Sequence, residues 1–352
     1  MSKPVKPLSL VTGACGFMGT HMVEVLAEAG HQIRATDLAE TYRADDKKRG
    51  RFPSVLQKLG AEFIPSDLAR PETLEPLVKD VDYIFHIASV FNYTAPWHVL
   101  KKINVDGTKA LYDYALQEKS LKRVVTWGAG GVYGLPDPED LPLCEDTSPP
   151  APCNNYLKSK WREEYLTMQY GKEKGLKWTI LRPTTVYGPR AVYGGGQMVM
   201  SAAKMKVSAM PRNFTARIPF IHAHDVCSAA LYLADRKDAE NQVFNTNDDS
   251  QMTTIEYFKY VADLMGHKFI ELPAVPVDGL RSVALGAVDL VKMFSSVTHI
   301  PIPVERDPIE YVGRDFVYSN EKLKKTGYKF IYADARDGLR DTVRWYQQEG
   351  WI

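Results

Sequence analysis

Tyr156-Leu157-Lys158-Ser159-Lys160 sets a phenol and an ammonium four residues apart. On a helix those positions share a face, so both groups can address one cavity. A phenol titrates at about 10 when unperturbed, and a neighbouring cation favours its phenolate. The pair can therefore exchange a proton with a substrate oxygen near neutral pH. A second constellation lies about 140 residues upstream, where the apolar run Leu8–Val11 leads into Thr12-Gly13-Ala14-Cys15-Gly16-Phe17-Met18-Gly19. Glycines at this spacing let the backbone approach a pyrophosphate and aim a helix N-terminus at its charge. Gln32–Asp37 then ends in an acid 18 residues after Gly19, where a ribose hydroxyl needs an acceptor. A dinucleotide site is the reading of these pieces together.

The elements that must hold these groups are legible as alternating patterns. Val5–Thr12, Gln32–Asp37, Glu62–Pro65, Tyr83–Ile87, Arg123–Thr126 and Trp178–Leu181 are short apolar or β-branched runs. Between them lie helical periodicities, such as Asn104–Gln117. This alternation predicts an α/β fold, a Rossmann-type doubly wound parallel sheet whose ligands sit beyond the C-terminal strand ends. The proline-rich segment 135–152 must be irregular, and Gly194–Gly196 marks another loop near the substrate. After Gln251 the alternation stops. Thr253 or Thr254 caps a helix running to about Met265, with Glu256 in its first turn. Leu280, Val283, Ala284, Ala287, Val288, Val291 and Phe294 form a stripe expected to be core. The organisation expected is a dinucleotide-binding domain over 1–190, rejoined by 220–250, with 191–219 and 251–352 forming a smaller, mixed substrate domain.

In these motifs the chain resembles the extended short-chain dehydrogenase/reductase family, which includes NAD-dependent epimerases and dehydratases and 3β-hydroxysteroid dehydrogenases. The further matching pieces are Asp67-Leu68, His86-Ile87-Ala88-Ser89, Asn104-Val105-x-Gly107-Thr108, Val132-Tyr133-Gly134, Leu181-Arg182-Pro183-x-x-Val186-Tyr187-Gly188-Pro189 and Phe220-Ile221-His222-x-x-Asp225-Val226. The resemblance implies NAD as cofactor, held by Gly13, Gly16, Phe17, Met18, Gly19, Asp37, Asp67, Leu68, Ala88, Lys160 and Pro183. It implies Tyr156 as proton relay and Lys160 as the residue that holds the nicotinamide ribose and lowers the tyrosine pKa. Asp37 favours NAD over NADP, because a carboxylate repels a 2′-phosphate; Arg34 and Arg43 are nearby cations that soften this preference or stand loose on the surface.

One departure stands out. The family has a Ser or Thr three residues before the V-Y-G triplet, and here that position is Ala129, between Trp127-Gly128 and Gly130-Gly131. Thr126 is taken as the substitute hydroxyl in the catalytic set, although three residues along a strand direct it to the opposite face. Ser89, Asn92, Tyr93, Thr184 and Thr185 are further candidates, and glycine there leaves space for substrate or water.

Thr185 replaces the Asn that nucleotide-sugar enzymes of the family carry, which points toward the hydroxy- or keto-lipid branch. The expected activity is NAD-dependent oxidation or reduction of a secondary alcohol or ketone on a hydrophobic substrate, with the apolar segment Leu272–Val304, bracketed by Pro273, Pro276, Pro301 and Pro303, as a lid. Arg190 and Arg217 remain as phosphate clamps for the alternative, a nucleotide-sugar epimerase or dehydratase. A dinucleotide sensor with weak or no catalysis is a second alternative. His222-x-His224-Asp225 is read as a helix start capped by Asp225, with no metal. Cys15 either has a lowered pKa at the helix N-terminus or fills a small-residue position.

Over the 352 residues, 44 basic against 43 acidic side chains give a net charge of +1, which recommends neither nucleic acid nor an acidic membrane as partner. Cys15, Cys144, Cys153 and Cys227 show no C-x-x-C pairing and read as free thiols. The expectation is a cytoplasmic enzyme without a transmembrane segment, dimerising through the helices around 104–117 and 156–171 as the resemblance implies.

Overall fold

A computed structural model describes residues 6–298 and 306–352. Met1–Val5 and Pro301, Pro303 and Val304 lie outside them, as does the side chain of Phe294. Seven parallel strands form the central sheet: β1 (Leu8–Thr12), β2 (Gln32–Thr36), β3 (Glu62–Phe63), β4 (Tyr83–His86), β5 (Arg123–Trp127), β6 (Trp178–Pro183) and a late arrival, Gln242–Thr246. With β7 (Thr185–Tyr187), β8 (Val207–Pro211) and β9 (Phe220–His222) intervening in the chain, that last strand is β10, and β11 is Lys268–Leu272. The sheet order is β10-β6-β5-β4-β1-β2-β3. β1 pairs with both β2 and β4, so the chain reverses its winding beside β1 and opens a crevice at the C-terminal strand ends.

The strands are short and apolar because both faces are covered. Every residue of β4, β5 and β6 is buried, as a parallel sheet sandwiched between helices requires. On one face α1 (Phe17–Glu28) packs beside the helix Ala223–Ala234, burying Met22, Leu26, Val226, Ala230 and Leu233 against Phe85 and Leu181. On the other, Leu111 and Tyr112 of the helix Gly107–Ala115 meet Leu10, Ile84 and Val124. A third core joins Tyr257 and Val261 of the helix Thr254–Leu264 to Leu339, Val343 and Tyr346 of the helix Ala335–Gln348. Two small sheets, β7 with β9 and β8 with β11, lie outside the main one.

Several local expectations change. The helix expected from Asn104 begins at Trp97 and passes through one wide i→i+5 segment, Lys101–Asp106, before its regular part. Gly195 and Gly196 open a helix to Lys204 instead of lying in a loop. His222, not Asp225, caps the helix Ala223–Ala234 by accepting from His224 N–H at 3.2 Å. The Asp225 carboxylate faces the other way, accepting from Ile331 N–H (2.7 Å) and Tyr332 N–H (2.9 Å), which ties the C-terminal segment down. Thr253 does cap its helix, in a reciprocal pair with Glu256.

The Leu280 stripe is not core. In the helix Val277–Thr298 only Val288 is buried among the described residues of the stripe, while Val283 is 73% and Leu280 50% exposed. No described side chain of that helix lines the cavity; Pro308, Tyr311 and Phe316 do. Periodicity revealed the helix but not which side another element covers. No described helix is long and apolar enough to cross a membrane.

Candidate active site

The dinucleotide end of the crevice is built by β1, its glycine turn and α1. Gly13 sits at φ +66°, a left-handed conformation natural to glycine. Gly19 brings α1 so close that a Cβ there would lie 2.1 Å from the Gly13 carbonyl oxygen. The first turn of α1 has no side-chain cap and no acidic residue. Its N–H groups are therefore available to an anion, which fits a pyrophosphate. At the tip of β2, Asp37 accepts from Leu38 N–H (2.8 Å) and Cys15 N–H (3.1 Å), so its carboxylate is fixed at the edge of the crevice. Burial pushes the Asp37 carboxyl up, and those donors pull it back. Burial also pushes the Cys15 thiol up to about 12, so it stays protonated and fills space.

One cavity of about 1290 Å³ brings the parts together. Gly13, Gly16, Phe17, Met18, Gly19, Asp37, Asp67, Leu68, Ala88, Lys160 and Pro183 all line it, and so does Tyr156. Asn154 caps the helix Asn155–Lys174 by accepting from Leu157 N–H at 2.8 Å, and this places Tyr156 and Lys160 on its buried face. Tyr156 packs against Phe91 (4.9 Å between ring centres) and Tyr93 (5.6 Å), with Tyr193 stacked on Phe91. Burial drives the Tyr156 phenol well above its ordinary value, with Tyr93, Glu163 and Tyr193 adding to the effect. The Lys160 ammonium donates to Glu163 Oε2 at 2.8 Å.

Thr126 is not in this cavity. Its hydroxyl is fully buried behind β5, 2.7 Å from the Tyr112 hydroxyl, which also contacts Thr167. The pleat that separates it from Ala129 is the reason, so Thr126 is withdrawn from the catalytic set. The glycines around Ala129 leave no open space either. A Cβ on Gly128 would lie 2.3 Å from Glu164 Oε1, and one on Gly131 2.8 Å from Leu157. Ala129 itself lines the cavity without a hydroxyl. Of the alternatives, Thr184 donates to the Thr246 carbonyl and Asn92 accepts from Thr94. Ser89 lines the cavity and its Oγ is buried with no hydrogen-bond partner.

The two arginines read as phosphate clamps are both ion-paired, and Arg217 also lines the cavity. Arg190 pairs with Glu24 and Thr20 at the base of α1, and Arg217 forms a two-point pair with Asp315, at 3.0 Å for the closer contact. Arg34 pairs with Glu62 at 2.9 Å. Beneath the site, Arg182 and Glu164 form a buried ion pair at 2.9 Å, with the Tyr133 hydroxyl 2.8 Å from the guanidinium. His86 bridges Thr12 (2.9 Å) and Thr108 (2.7 Å), and burial pushes its imidazole down to about 3, so it is neutral.

Sequence reasoning gave no role to three residues here. Asn104, in the wide helical segment, accepts from Val90 N–H at 2.8 Å and donates to Ser159 Oγ at 2.9 Å, which ties the Ser89–Tyr93 loop to the Tyr156 helix. Arg314 lines the cavity with its Nε buried and unpartnered. Glu163 was legible as an i, i+3 partner of Lys160. No group of three or more His, Cys, Asp or Glu able to hold a metal occurs among the described residues.

A glycine turn leading into an uncapped helix N-terminus, an acid at the second strand and a Tyr-Lys pair in one crevice fit a dinucleotide-dependent enzyme of the Rossmann type. The family model described as "NAD dependent epimerase/dehydratase family" matches residues 9–246. The chain belongs to that family, within the extended short-chain dehydrogenases/reductases, and NAD is its cofactor.

Among its relatives, a sterol-4-alpha-carboxylate 3-dehydrogenase (decarboxylating) from Bos taurus is 25% identical, over 95% of this chain and 91% of the relative. A UDP-N-acetyl-alpha-D-glucosaminuronate decarboxylase from Bacillus cytotoxicus is 24% identical, over 98% and 99%. The chain also matches a hybrid PKS-NRPS synthetase from Hapsidospora irregularis at 28% identity, but spans 6% of that protein's length. Of solved structures, gox2253 superposes with a TM-score of 0.78 at 26% identity, over 99% of this chain and 100% of that one.

Proposed function

We propose that this protein interconverts a secondary alcohol and a ketone on a hydrophobic substrate. The observation that carries the reading is the far half of the cavity. Met198, Met210, Phe214, Ile218, Phe258 and Phe316 line it, while Arg190 and Arg217 are held by Glu24 and Asp315. An apolar ligand fills such a pocket by releasing water from it, at about 25 cal/mol per Å² of apolar surface covered. A nucleoside diphosphate would set much of its charge against these apolar walls and an Arg217 already paired with Asp315.

In this reading the glycine turn and the N-terminus of α1 hold the pyrophosphate, Asp37 the adenosine ribose and Lys160 the nicotinamide ribose. NAD, when bound, supplies hydride acceptance or donation at the nicotinamide C4. Tyr156 Oη gives a proton to the substrate oxygen in reduction and takes one in oxidation. The Phe91 and Tyr93 rings pack against Tyr156, with Tyr193 stacked on Phe91, and limit the approach of water to that phenol. Ser89 Oγ is the hydroxyl proposed to steady the substrate oxygen in place of the one missing at Ala129. The outer faces of the Gly107–Ala115 and Asn155–Lys174 helices are proposed as a homodimer interface, with support from Tyr165, a large ring left 45% exposed there.

Arg314 favours the second reading, a nucleotide-sugar epimerase or dehydratase, because it is a cavity cation whose Nε lacks a partner. The test is to supply the purified protein with NAD or NADH and, in parallel, with ketosteroids, β-keto lipids and their alcohols, or UDP- and dTDP-sugars. Turnover of the apolar set supports the proposal. Conversion of a nucleotide sugar alone overturns it.

A further inference from the structure

Tyr156, Lys160 and Glu163 occupy positions i, i+4 and i+7 of one helix and share its buried face. The Lys160 side chain is 3% exposed and that of Glu163 1%. Their 2.8 Å contact is the one hydrogen bond Lys160 makes among the described residues. The second carboxylate oxygen of Glu163 accepts no hydrogen bond. His86 Nε2 lies 3.8 Å from it, on a ring held neutral between Thr12 and Thr108. Glu164, the adjacent acid, is spent on Arg182. Lys160 is therefore the cation left to balance Glu163, and Glu163 the anion that balances Lys160. Facing Tyr156 are the phenols of Tyr93 and Tyr193 and the Glu163 carboxylate, all of which oppose its ionisation.

We propose that Glu163 is a positioning residue that draws the Lys160 ammonium onto its own carboxylate, keeps Tyr156 as the neutral phenol, and so sets this site to give a proton to a carbonyl oxygen, confining alcohol oxidation to alkaline solution. The inference rests on Tyr156 being the proton donor of the proposed reaction. The reduction balances as follows. A hydride from NADH, carrying its electron pair, forms the new C–H bond at the carbonyl carbon. The Tyr156 O–H bond breaks and its proton forms the alcohol O–H. Lys160 reprotonates the phenolate, and one proton from water restores the Lys160–Glu163 pair.

The charge logic holds where it is needed. Burial pushes the Glu163 carboxyl up to about 7, with Lys160 drawing it back, so above neutrality Glu163 is an anion. That is the range in which a phenol beside an unpaired ammonium would start to ionise. Below neutrality Glu163 takes up a proton, and the phenol is protonated there in any case.

The test needs no substrate. Tyrosine ring-carbon NMR of the whole protein, with the Tyr156 resonance assigned by its loss in Tyr156→Phe, follows the phenol through a pH titration. In Glu163→Gln, which keeps the shape and removes the charge, Tyr156 should ionise at a pH lower by about 1 or more. Glu163→Leu, an apolar replacement of similar size, should move it the same way. In both variants the alkaline limit of ketone reduction should fall in step, with the KM for NADH changed less than twofold. If Tyr156 titrates in both variants where it does in the parent, the inference is overturned. An NMR shift without any ketone turnover would sink the substrate proposal and leave Glu163's role standing.

Discussion

Adding one methyl group to the glycine turn separates two jobs that the turn performs. In Gly19→Ala the new Cβ would stand 2.1 Å from the Gly13 carbonyl oxygen and 2.6 Å from Ala14 Cα, both backbone atoms, whereas ordinary contacts start at 3.4 Å. Neither neighbour can rotate away, so α1 must move off the turn by more than about 1 Å. Overpacking of this kind costs about 1–3 kcal/mol, and two backbone obstacles place it at the upper end. In the proposed mode of binding, the same movement withdraws the N–H groups of the first turn from the pyrophosphate. Losing one hydrogen bond to a charged group, about 1.5–3 kcal/mol, weakens binding tenfold or more.

Gly16→Ala differs, because its Cβ meets the Gly13 oxygen at 3.3 Å and needs only a small adjustment. It should leave the thermal midpoint within about 2 °C of the parent, since its packing cost is below ~1 kcal/mol. It should still weaken NAD, because a methyl group at the N-cap stands at the proposed phosphate site. Calorimetric unfolding and NAD titration on both variants read the two effects apart. If Gly19→Ala melts and binds NAD like the parent, the close approach is not what holds this cofactor end together.

Three further outcomes follow from the site and its surroundings. Ala129→Ser should raise ketone reduction at least ~10-fold, since a donor to the developing charge is worth about 10²–10³; Ser89→Ala should lower it in the parent and less in Ala129→Ser, and unchanged rates in both would remove the hydroxyl argument. Asp37→Ser should narrow the preference for NAD over NADP ~10-fold or more by losing the ribose acceptor and the repulsion of a 2′-phosphate, read as the ratio of kcat/KM values. Asp248 is buried with Oδ2 unpartnered, and burial pushes its carboxyl up to about 7. An acid whose folded value is raised contributes stability that is full below its unfolded value and is lost as pH rises through 7. The melting temperature should therefore fall from pH 5 to about pH 8, and Asp248→Asn should flatten that slope and gain roughly 1–3 kcal/mol at the alkaline end.

The residues assigned to the cofactor are local in sequence, which is why their convergence on one cavity could be anticipated. One turn and one strand end carry Gly13, Gly16, Gly19 and Asp37, and the Tyr156–Lys160 pair lies within one helical turn. The substrate half depends on partners far apart in the chain. Arg217 finds Asp315 98 residues away, and Arg190 finds Glu24 across 166. Such pairs leave no periodic trace, so both arginines looked available. The Leu280 stripe failed for a related reason: a helical repeat of apolar residues says nothing about whether another element covers them. Thr126 followed the pleat of β5, a local rule that the sequence already contained.

The central claim is that Tyr156 transfers the proton in an NAD-dependent reaction of a hydrophobic ketone. Its most direct measurement is NADH consumption by the parent and Tyr156→Phe with the best ketone found, alongside NADH binding to each. The account predicts a loss of about 10² or more in kcat, as removal of a general acid implies, with NADH affinity within a few-fold of the parent. Equal rates in the two proteins would contradict it.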